Sequence, residues 1–200
     1  MKNNQSVILV RPQLPENIGM TARAMDNCGF NELILVSPRE EWPNDISLRA
    51  AGNSKNILKK VKVYESLDKA LFSFNYVIAT SSRKRFLLKP SIRNFNNLFK
   101  KFKFYNKIAF VFGPENSGLS NRDLMLCDLI LNIQLSKTNK SLNLSHAVLI
   151  VCYKWTEYFR ITSKNTKSNK ILDDVASKKD FLYFMNFLKK ELDEVGFLYP

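Results

Sequence analysis

Residues 7–28 read VILVRPQLPENIGMTARAMDNC, and this stretch decides the fold. Residues 7–10 form a continuous apolar run, which is typical of a strand buried on both faces of a sheet. A proline-bounded turn follows, with Asn17 suited to capping a helix over residues 18–28 that Gly29 ends. Strand, turn and helix in this order predict the first unit of a parallel α/β sheet.

Further elements continue the alternation along the chain. Apolar runs predict strands over residues 33–36, 61–64, 76–79, 108–112 and 129–133. Helical patterns occupy residues 66–72, 92–102, 121–127 and 144–159. The sequence therefore predicts an α/β fold, a parallel sheet flanked by helices on both faces.

The C-terminal part has a different pattern. Residues 161–170 are polar and basic, which predicts a linker, and Ser177 with Asp180 resembles a capping box. An amphipathic helix follows, whose apolar face comprises Phe181, Phe184, Met185, Leu188, Leu192 and Val195. We divide the chain into a domain of residues 1–160, a linker of 161–176 and a helical appendage of 177–200. This helix packs on the domain, contacts another subunit or faces RNA; the pattern fits all three.

The charge of the chain favours a polyanionic partner. Among its 200 residues are 31 Lys and Arg and 18 Asp and Glu, giving a net charge of +13. Nucleic acid and an anionic membrane surface both fit this surplus, as does a proteome rich in Lys and Asn. Residues 69–114 contain no Asp or Glu, and their basic residues are Lys69, Arg83, Lys84, Arg85, Lys89, Arg93, Lys100, Lys101, Lys103 and Lys107. Interleaved aromatic residues there favour RNA, unless they belong to the core: Phe86, Phe95, Phe99, Phe102, Phe104 and Tyr105.

Other features argue against several classes. No apolar run is long enough to span a membrane, and the polar residues 1–6 predict no secretory signal. Cys28, Cys127 and Cys152 are far apart, and His146 is the only histidine. This spacing argues against a metal site, a disulfide framework and a Cys–His nucleophile, and it favours a reducing cytoplasm.

The turn after the first strand lacks the Gly-x-Gly-x-x-Gly sequence of a Rossmann nucleotide site. Gly19 and Arg23 share one helix face, so we expect open space beside an arginine that binds an anion or orients a hydroxyl. A surface arginine on a packing helix is the alternative. Glu115 is expected to meet a ribose or a basic side chain, and Asn143 to be a helix cap or a site residue.

Three segments together carry a family resemblance: NIGMTARAM at 17–25, FGPENSGL at 112–119 and SLNLSHAV at 141–148. Their order and spacing resemble the three motifs of TrmH-type SPOUT RNA 2′-O-methyltransferases, over about residues 7–158. The resemblance implies an α/β domain with a C-terminal trefoil knot, which general topology rules would not suggest. It also implies a homodimer with each active site near the subunit interface.

The resemblance further implies site residues and a cofactor. S-adenosyl-L-methionine is expected to bind the loops that contain Thr80, Ser81, Ser82, Gly113, Ile133, Lys140, Ser141 and Leu142. Arg23 matches the catalytic arginine, and the matching supporting residues are Asn17, Glu115, Ser141 and Asn143. Because a guanidinium stays protonated, orienting a hydroxyl or a phosphate is easier for Arg23 than acting as a base.

Within the family, residues 80–85 and the C-terminal appendage resemble the members that methylate cytidine or uridine 32 in the tRNA anticodon loop. The partners implied are tRNA and a second copy of the chain, with no metal and no membrane. The alternatives are ribosomal RNA, another tRNA position such as the wobble nucleotide, and a non-catalytic RNA-binding module of the same fold. Thr80 and Gly113 each follow a predicted strand and Ile133 ends one, at the edge where parallel sheets bind ligands.

Overall fold

A parallel sheet forms the centre of the molecule in the computed structural model, which describes residues 5–81, 89–100, 107–136, 141–163 and 175–198. Within these residues its strands are β1 (Gln5–Val10), β2 (Glu32–Val36), β3 (Lys62–Tyr64), β4 (Tyr76–Thr80), β5 (Ser91–Ile92), β6 (Ile108–Phe112) and β7 (Leu129–Leu131). Their order is β3-β2-β1-β6-β4-β7-β5, and all neighbouring strands pair in parallel.

Helices follow most of the strands. They are α1 (Pro15–Asn27), α2 (Asp45–Ala50), α3 (Lys55–Leu58), α4 (Leu67–Leu71), α5 (Phe95–Lys100), α6 (Asn121–Met125), α7 (Leu144–Ser163) and α8 (Lys178–Glu194). A 3-10 turn over Gly52–Ser54 joins α2 to α3. No helix in the described ranges has the length and hydropathy needed to span a membrane.

The central strands of the sheet are buried on both faces, as their continuous apolar runs predicted. All side chains of β1 are buried; Val7 and Leu9 belong to one core and Ile8 and Val10 to the other. Residues of α1, α5 and α7 fill the first core, and residues of α4 and α6 fill the second. The prediction of a parallel α/β sheet flanked by helices is therefore confirmed. The knot stays a prediction, because residues 82–88 and 137–140 lie outside the described residues.

Helix α1 begins at Pro15, three residues before the predicted start. Proline suits the first position of a helix because it lacks the N–H that would have no partner there. Leu14 takes the capping position without a side-chain hydrogen bond, so the expected capping role of Asn17 is wrong. Asn17 instead lies inside the helix and is buried.

The sequence did not predict α2, α3 or the turn between them, and these elements fill the space at Gly19. A Cβ atom on Gly19 would lie 2.2 Å from the Ser47 backbone oxygen and 2.6 Å from the Ala50 Cβ. The expected open space beside Arg23 at Gly19 is therefore wrong. Glycine is needed there because the α2 backbone packs directly on α1.

Helix α8 is fixed to the domain at its first residue. Lys178 is buried, its Nζ lies 2.6 Å from Asp128 Oδ1, and its backbone N–H donates to the Phe74 carbonyl. Ser177 and Asp180 form the predicted capping box. The apolar face is largely exposed, including Phe181, Phe184, Met185, Leu188 and Val195. The start of α8 thus packs on the domain, whereas its apolar face is left largely exposed.

The proposed domain boundaries remain a prediction. Helix α7 continues to Ser163, and residues 164–174 of the expected linker lie outside the described residues. Among the aromatic residues of the basic stretch, Phe99 is fully buried and Phe95 packs against the same core. These two are core residues, whereas residues 82–88 and 101–106 lie outside the described ranges.

Replacing Gly19 by Ala is expected to lower the free energy of unfolding by about 1–3 kcal/mol, because the new methyl group must push α2 away from α1. Chemical denaturation measures the change. Arg49→Ala, at an exposed position of α2, is the matched control and should change stability by less than about 0.5 kcal/mol. Equal stability of Gly19→Ala and the wild type would contradict the packing.

Lys178→Met is expected to loosen α8 while the sheet stays folded, because Asp128 loses its buried cation. Hydrogen exchange followed by mass spectrometry should show faster exchange in α8 and unchanged exchange in β1 and β6. Lys189→Met removes an exposed charge from the same helix and serves as the control. Unchanged exchange in α8 would show that this ion pair does not hold it.

Candidate active site

The Glu115 carboxylate joins the loop after β6 to the start of α1. Its Oε2 accepts the Gln13 backbone N–H at 2.9 Å, and its Oε1 accepts the Leu14 N–H at 3.3 Å. Oε1 also accepts the Asn17 side-chain amide at 2.7 Å. Two backbone amides and an asparagine are thus the partners of this carboxylate in place of the expected basic side chain, and its contact with a ribose stays a prediction.

Asn17 also forms a hydrogen bond with a residue at the start of α7. Its Oδ1 accepts Asn143 Nδ2 at 3.0 Å. The Asn143 Oδ1 in turn accepts the Ser145 backbone N–H at 2.9 Å and the Ser145 hydroxyl at 2.7 Å. Asn143 is thus both a helix cap and a member of this cluster, so the two expectations for it are compatible.

The polarity of this hydrogen-bonded chain is set at one end. An ionised carboxylate only accepts hydrogen bonds, so Glu115 fixes which side of the Asn17 amide faces it. That choice turns the Asn17 oxygen toward Asn143 and the Asn143 oxygen toward the first turn of α7. We call Glu115, Asn17, Asn143 and Ser145 the asparagine cluster. It holds three distant motif segments in one arrangement.

Gly113 shapes the loop that carries Glu115. A Cβ atom there would lie 2.2 Å from the Leu119 backbone nitrogen and 2.4 Å from the Gly118 carbonyl carbon. Glycine was expected at this strand end so that a ligand could approach closely. In this structure the backbone of Gly118 and Leu119 packs against Gly113. Gly118, with φ of 66°, closes the loop, and its N–H donates to the Pro114 carbonyl at 2.8 Å.

An ion pair between a buried carboxylate and a partly exposed arginine fixes the same loop from its other end. Arg11, directly after β1, pairs with Asp123 at the start of α6. Burial would raise the pKa of Asp123, but hydrogen bonds from Arg11 and Ser120 outweigh it and hold that pKa below its usual range. Arg11 has a φ of 49°, a left-handed conformation that is strained for a side-chain-bearing residue. The pair therefore ties the loop after β1 to α6.

The residues expected to bind the cofactor follow adjacent strands, β6, β4 and β7. Thr80 donates its hydroxyl to the Val111 carbonyl at 3.1 Å, and the Ser81 N–H donates to the Leu131 carbonyl at 3.1 Å. Strand β7 ends at Leu131, and Ile133 beyond it packs partly against the core. Ser141 is exposed and Leu142 is half-buried before α7. Ser82 and Lys140 lie outside the described residues.

Arg23 lies apart from the asparagine cluster of its own chain. Six positions along α1 turn its side chain about 120° away from that of Asn17. It borders a cavity of about 390 Å³ that is also lined by Asp26, Asn27, Gly52, Asn53 and Ser54. The structure thus brings together Asn17, Glu115 and Asn143, and places Arg23 on the adjacent face of the same helix.

Sequence reasoning missed three contributors. Ser145 stood within the third motif but was not selected, although a serine two positions after a capping asparagine is a recognisable signal. Gln13 contributes only its backbone N–H, which no residue type would indicate. The Arg11–Asp123 pair joins residues far apart in the chain, and a single sequence carries no sign of it.

No group of three or more His, Cys, Asp or Glu side chains in the described ranges is placed to hold a metal ion. The three cysteines are buried and unbridged. Burial raises the pKa of the Cys127 thiol to about 12, so this thiol is protonated at neutral pH and is a poor nucleophile.

Two relatives are similar over most of the chain. The tRNA (cytidine-2′-O-)-methyltransferase TrmJ of Methanocaldococcus jannaschii is 35% identical over 181 residues, 88% of this chain and 75% of the relative. The tRNA (cytidine/uridine-2′-O-)-methyltransferase TrmJ of Photorhabdus laumondii is 30% identical over 200 residues, 99% of this chain and 83% of the relative. These matches extend beyond the motifs to nearly the whole sequence.

A solved structure agrees in fold. The crystal structure of TrmJ from Z. mobilis ZM4 superposes with a TM-score of 0.83 and 32% identity, covering 98% of this chain and 83% of that one. The model of the SpoU rRNA Methylase family matches residues 4–153, which include all three motifs. The resemblance of the motifs is thereby confirmed, and this chain belongs to the SpoU rRNA methylase family.

Proposed function

We propose that this protein transfers a methyl group from S-adenosyl-L-methionine to the ribose 2′-hydroxyl of a tRNA anticodon-loop nucleotide, cytidine or uridine 32. Methyl transfer to RNA follows from membership of the family. The tRNA substrate is supported by relatives that are named tRNA 2′-O-methyltransferases. Position 32 rests on the resemblance of residues 80–85 and of the C-terminal helix.

The observation that carries the proposal is the asparagine cluster. Glu115, Asn17 and Asn143 come from three motifs and are joined by hydrogen bonds of 2.7 and 3.0 Å. The loop that carries Glu115 begins at the carboxyl end of β6, at the edge where parallel sheets bind ligands, and a module that only bound RNA would have no need for this arrangement there. The cluster therefore favours an enzyme over a non-catalytic module of the same fold.

The residues at this edge of the sheet fit a cofactor held mainly by main-chain groups. Thr80 uses its hydroxyl on the Val111 carbonyl, and Asn132 donates its amide to the Ser81 carbonyl at 3.0 Å. These side chains stiffen the strand ends instead of projecting from them. We propose that Thr80, Ser81, Gly113, Ile133, Ser141 and Leu142 hold the cofactor, together with Ser82 and Lys140, which lie outside the described residues.

Bound S-adenosylmethionine would supply a sulfonium methyl group for the ribose 2′-oxygen, with the thioether S-adenosylhomocysteine as the leaving group and the hydroxyl proton released to water. Positioning of the hydroxyl gives much of the acceleration in such a reaction. We propose that the Arg23 guanidinium donates hydrogen bonds to the ribose hydroxyl or a flanking phosphate, since it remains protonated. Asn143 and Ser141, which border α7, orient the acceptor from the other side, and Glu115 and Asn17 keep Asn143 in place.

A second copy of the chain would complete the site. Arg23 points away from the asparagine cluster of its own chain, so we propose that it serves the cofactor loops of a partner in a homodimer. Exposed apolar side chains give the two copies a surface to share, and they lie at the start of α1, on α1 and on α7: Leu14, Met20, Leu149 and Tyr153. With tRNA as its substrate, we assign the dimer to the cytoplasm.

Arg23→Ala is expected to lower kcat for tRNA methylation by about a hundredfold or more, because one positioning donor is lost from the transition state. Transfer of a labelled methyl group to undermethylated tRNA measures it. Binding of tRNA should weaken by less than about threefold, since phosphate contacts elsewhere persist. Arg39→Ala removes an exposed arginine and is the matched control. Full activity of Arg23→Ala would contradict the proposed role.

The shared site predicts complementation between inactive variants. Arg23→Ala and Glu115→Ala, mixed and allowed to exchange subunits, should regain about a quarter of the wild-type activity, because half of the dimers are mixed and have one intact site of two. Each variant carried through the same exchange alone is the control. Activity no higher than that of the separate variants would show that each chain completes its own site.

A direct assay tests the proposal as a whole. Purified protein is incubated with labelled S-adenosylmethionine and tRNA transcripts, and nuclease digestion with mass spectrometry locates the label. Label on the ribose of nucleotide 32 is expected. Label on ribosomal RNA or at the wobble nucleotide would replace the proposed target, and no transfer to any RNA despite cofactor binding would exclude the activity.

A further inference from the structure

The cavity beside Arg23 has polar walls from two separate parts of the chain. Arg23, Asp26 and Asn27 come from the last turns of α1, and the other wall is the turn over Gly52–Ser54. At about 390 Å³ it falls within the range of pockets that hold small ligands. Neither the family motifs nor the asparagine cluster includes Asn27, Asn53 or Ser54.

The polar groups of this cavity are not used by the protein itself. Within the described ranges, the side chains of Arg23, Asn27 and Asn53 make no hydrogen bond or ion pair with other residues, although all three border the cavity. Gly52 has a φ of 56°, and a Cβ atom on it would meet nothing within 4 Å, so this wall leaves room. The donors and acceptors are therefore available to a ligand.

The two walls are held at a fixed distance. Because Gly19 has no side chain, the α2 backbone packs directly on α1, and a Cβ atom on Gly19 would lie 2.2 Å from the Ser47 oxygen. The 3-10 turn follows α2 directly, so its position relative to α1 is fixed as well. The Ser47 hydroxyl donates to the Pro15 carbonyl at 2.8 Å, which adds a second connection between the helices. A cavity with fixed walls is preorganised for its ligand.

The chemistry of the walls favours the edge of a nucleobase. Arg23 and Asp26 carry opposite charges, so the cavity as a whole does not attract a phosphate. No apolar or aromatic side chain lines it, which argues against an apolar ligand or a stacked base. Carboxamides present a donor beside an acceptor, and this pair matches the edge of a base, which also carries donors and acceptors side by side.

We propose that Asn53 and Asn27 read the base of the nucleotide whose ribose is methylated. This inference rests on the proposed function, in which Arg23 orients the 2′-hydroxyl of that nucleotide. The base and the 2′-oxygen are attached to neighbouring ribose carbons, so a base entering this cavity brings its hydroxyl to Arg23.

Carboxamides also explain how one cavity accepts two pyrimidines. Cytosine offers an N4–H donor beside the N3 acceptor, whereas uracil offers the O4 acceptor beside an N3–H donor. Rotating the amide of Asn53 by half a turn exchanges its oxygen and nitrogen and matches either edge. A carboxylate lacks this choice, because it only accepts hydrogen bonds.

The test is the preference between two substrates that differ only in the target base. Rates are measured for wild type and for Asn53→Asp on tRNA transcripts with cytidine or uridine at the methylated position. Asn53→Asp should raise the cytidine-to-uridine ratio of kcat/KM about tenfold, because its carboxylate still accepts from cytosine N4–H but meets the O4 acceptor at the same position of uracil. Asn53→Gln, which keeps the amide, should retain the wild-type ratio.

Asn56→Asp is the matched control, since it adds the same charge at an exposed position three residues away. A ratio that shifts in Asn53→Asp and stays at the wild-type value in Asn56→Asp supports the proposal. An unchanged ratio in an active Asn53→Asp, or an equal shift in both variants, overturns it while leaving the methylation itself intact. Wild-type protein that methylates neither transcript overturns the proposed target together with this inference.

Discussion

The arrangement of the site depends on one carboxylate. Glu115 accepts two backbone N–H groups at the start of α1 and the side-chain amide of Asn17. Because it accepts and never donates when ionised, it determines the direction of every hydrogen bond from Asn17 to Ser145. The loop after β6, the first turn of α1 and the first turn of α7 are thereby fixed relative to one another.

Helix α1 serves two functions on two faces. Asn17 faces the asparagine cluster, while Gly19 and Arg23 face α2 and the turn over Gly52–Ser54. The same glycine that brings α2 close also fixes the wall opposite Arg23. Helix α1 therefore contacts the loop after β6 through Asn17 and borders the polar cavity through Arg23. This separation agrees with the proposal that two copies of the chain share each site.

The sequence predicted those parts of the molecule that depend on local pattern. Continuous apolar strands such as residues 7–10 and 108–112 predicted the sheet and its burial, because a strand buried on both faces does not alternate apolar and polar residues. The elements at 45–58 escaped prediction, since they are short and are held by packing against Gly19. Asn17 was expected to cap a helix, but Pro15 starts the helix earlier and leaves its amide for Glu115.

The residues of the site were predicted from the three sequence motifs, whereas their hydrogen bonds were not predicted. Motif positions selected Asn17, Glu115 and Asn143, which the structure brings into contact. The direction of their hydrogen bonds and the role of backbone N–H groups required coordinates, because backbone donors are present at every residue. The position of Arg23, about 120° around α1 from Asn17, could be derived only once Asn17 was known to lie inside the helix.

The most direct measurement is a map of ribose methylation in tRNA from cells with and without the gene for this protein. The account predicts that 2′-O-methylation at nucleotide 32 is lost in the deletion strain and returns with the wild-type gene but not with a gene encoding Arg23→Ala. Full methylation of nucleotide 32 without the gene, together with loss at a site in ribosomal RNA, would contradict it.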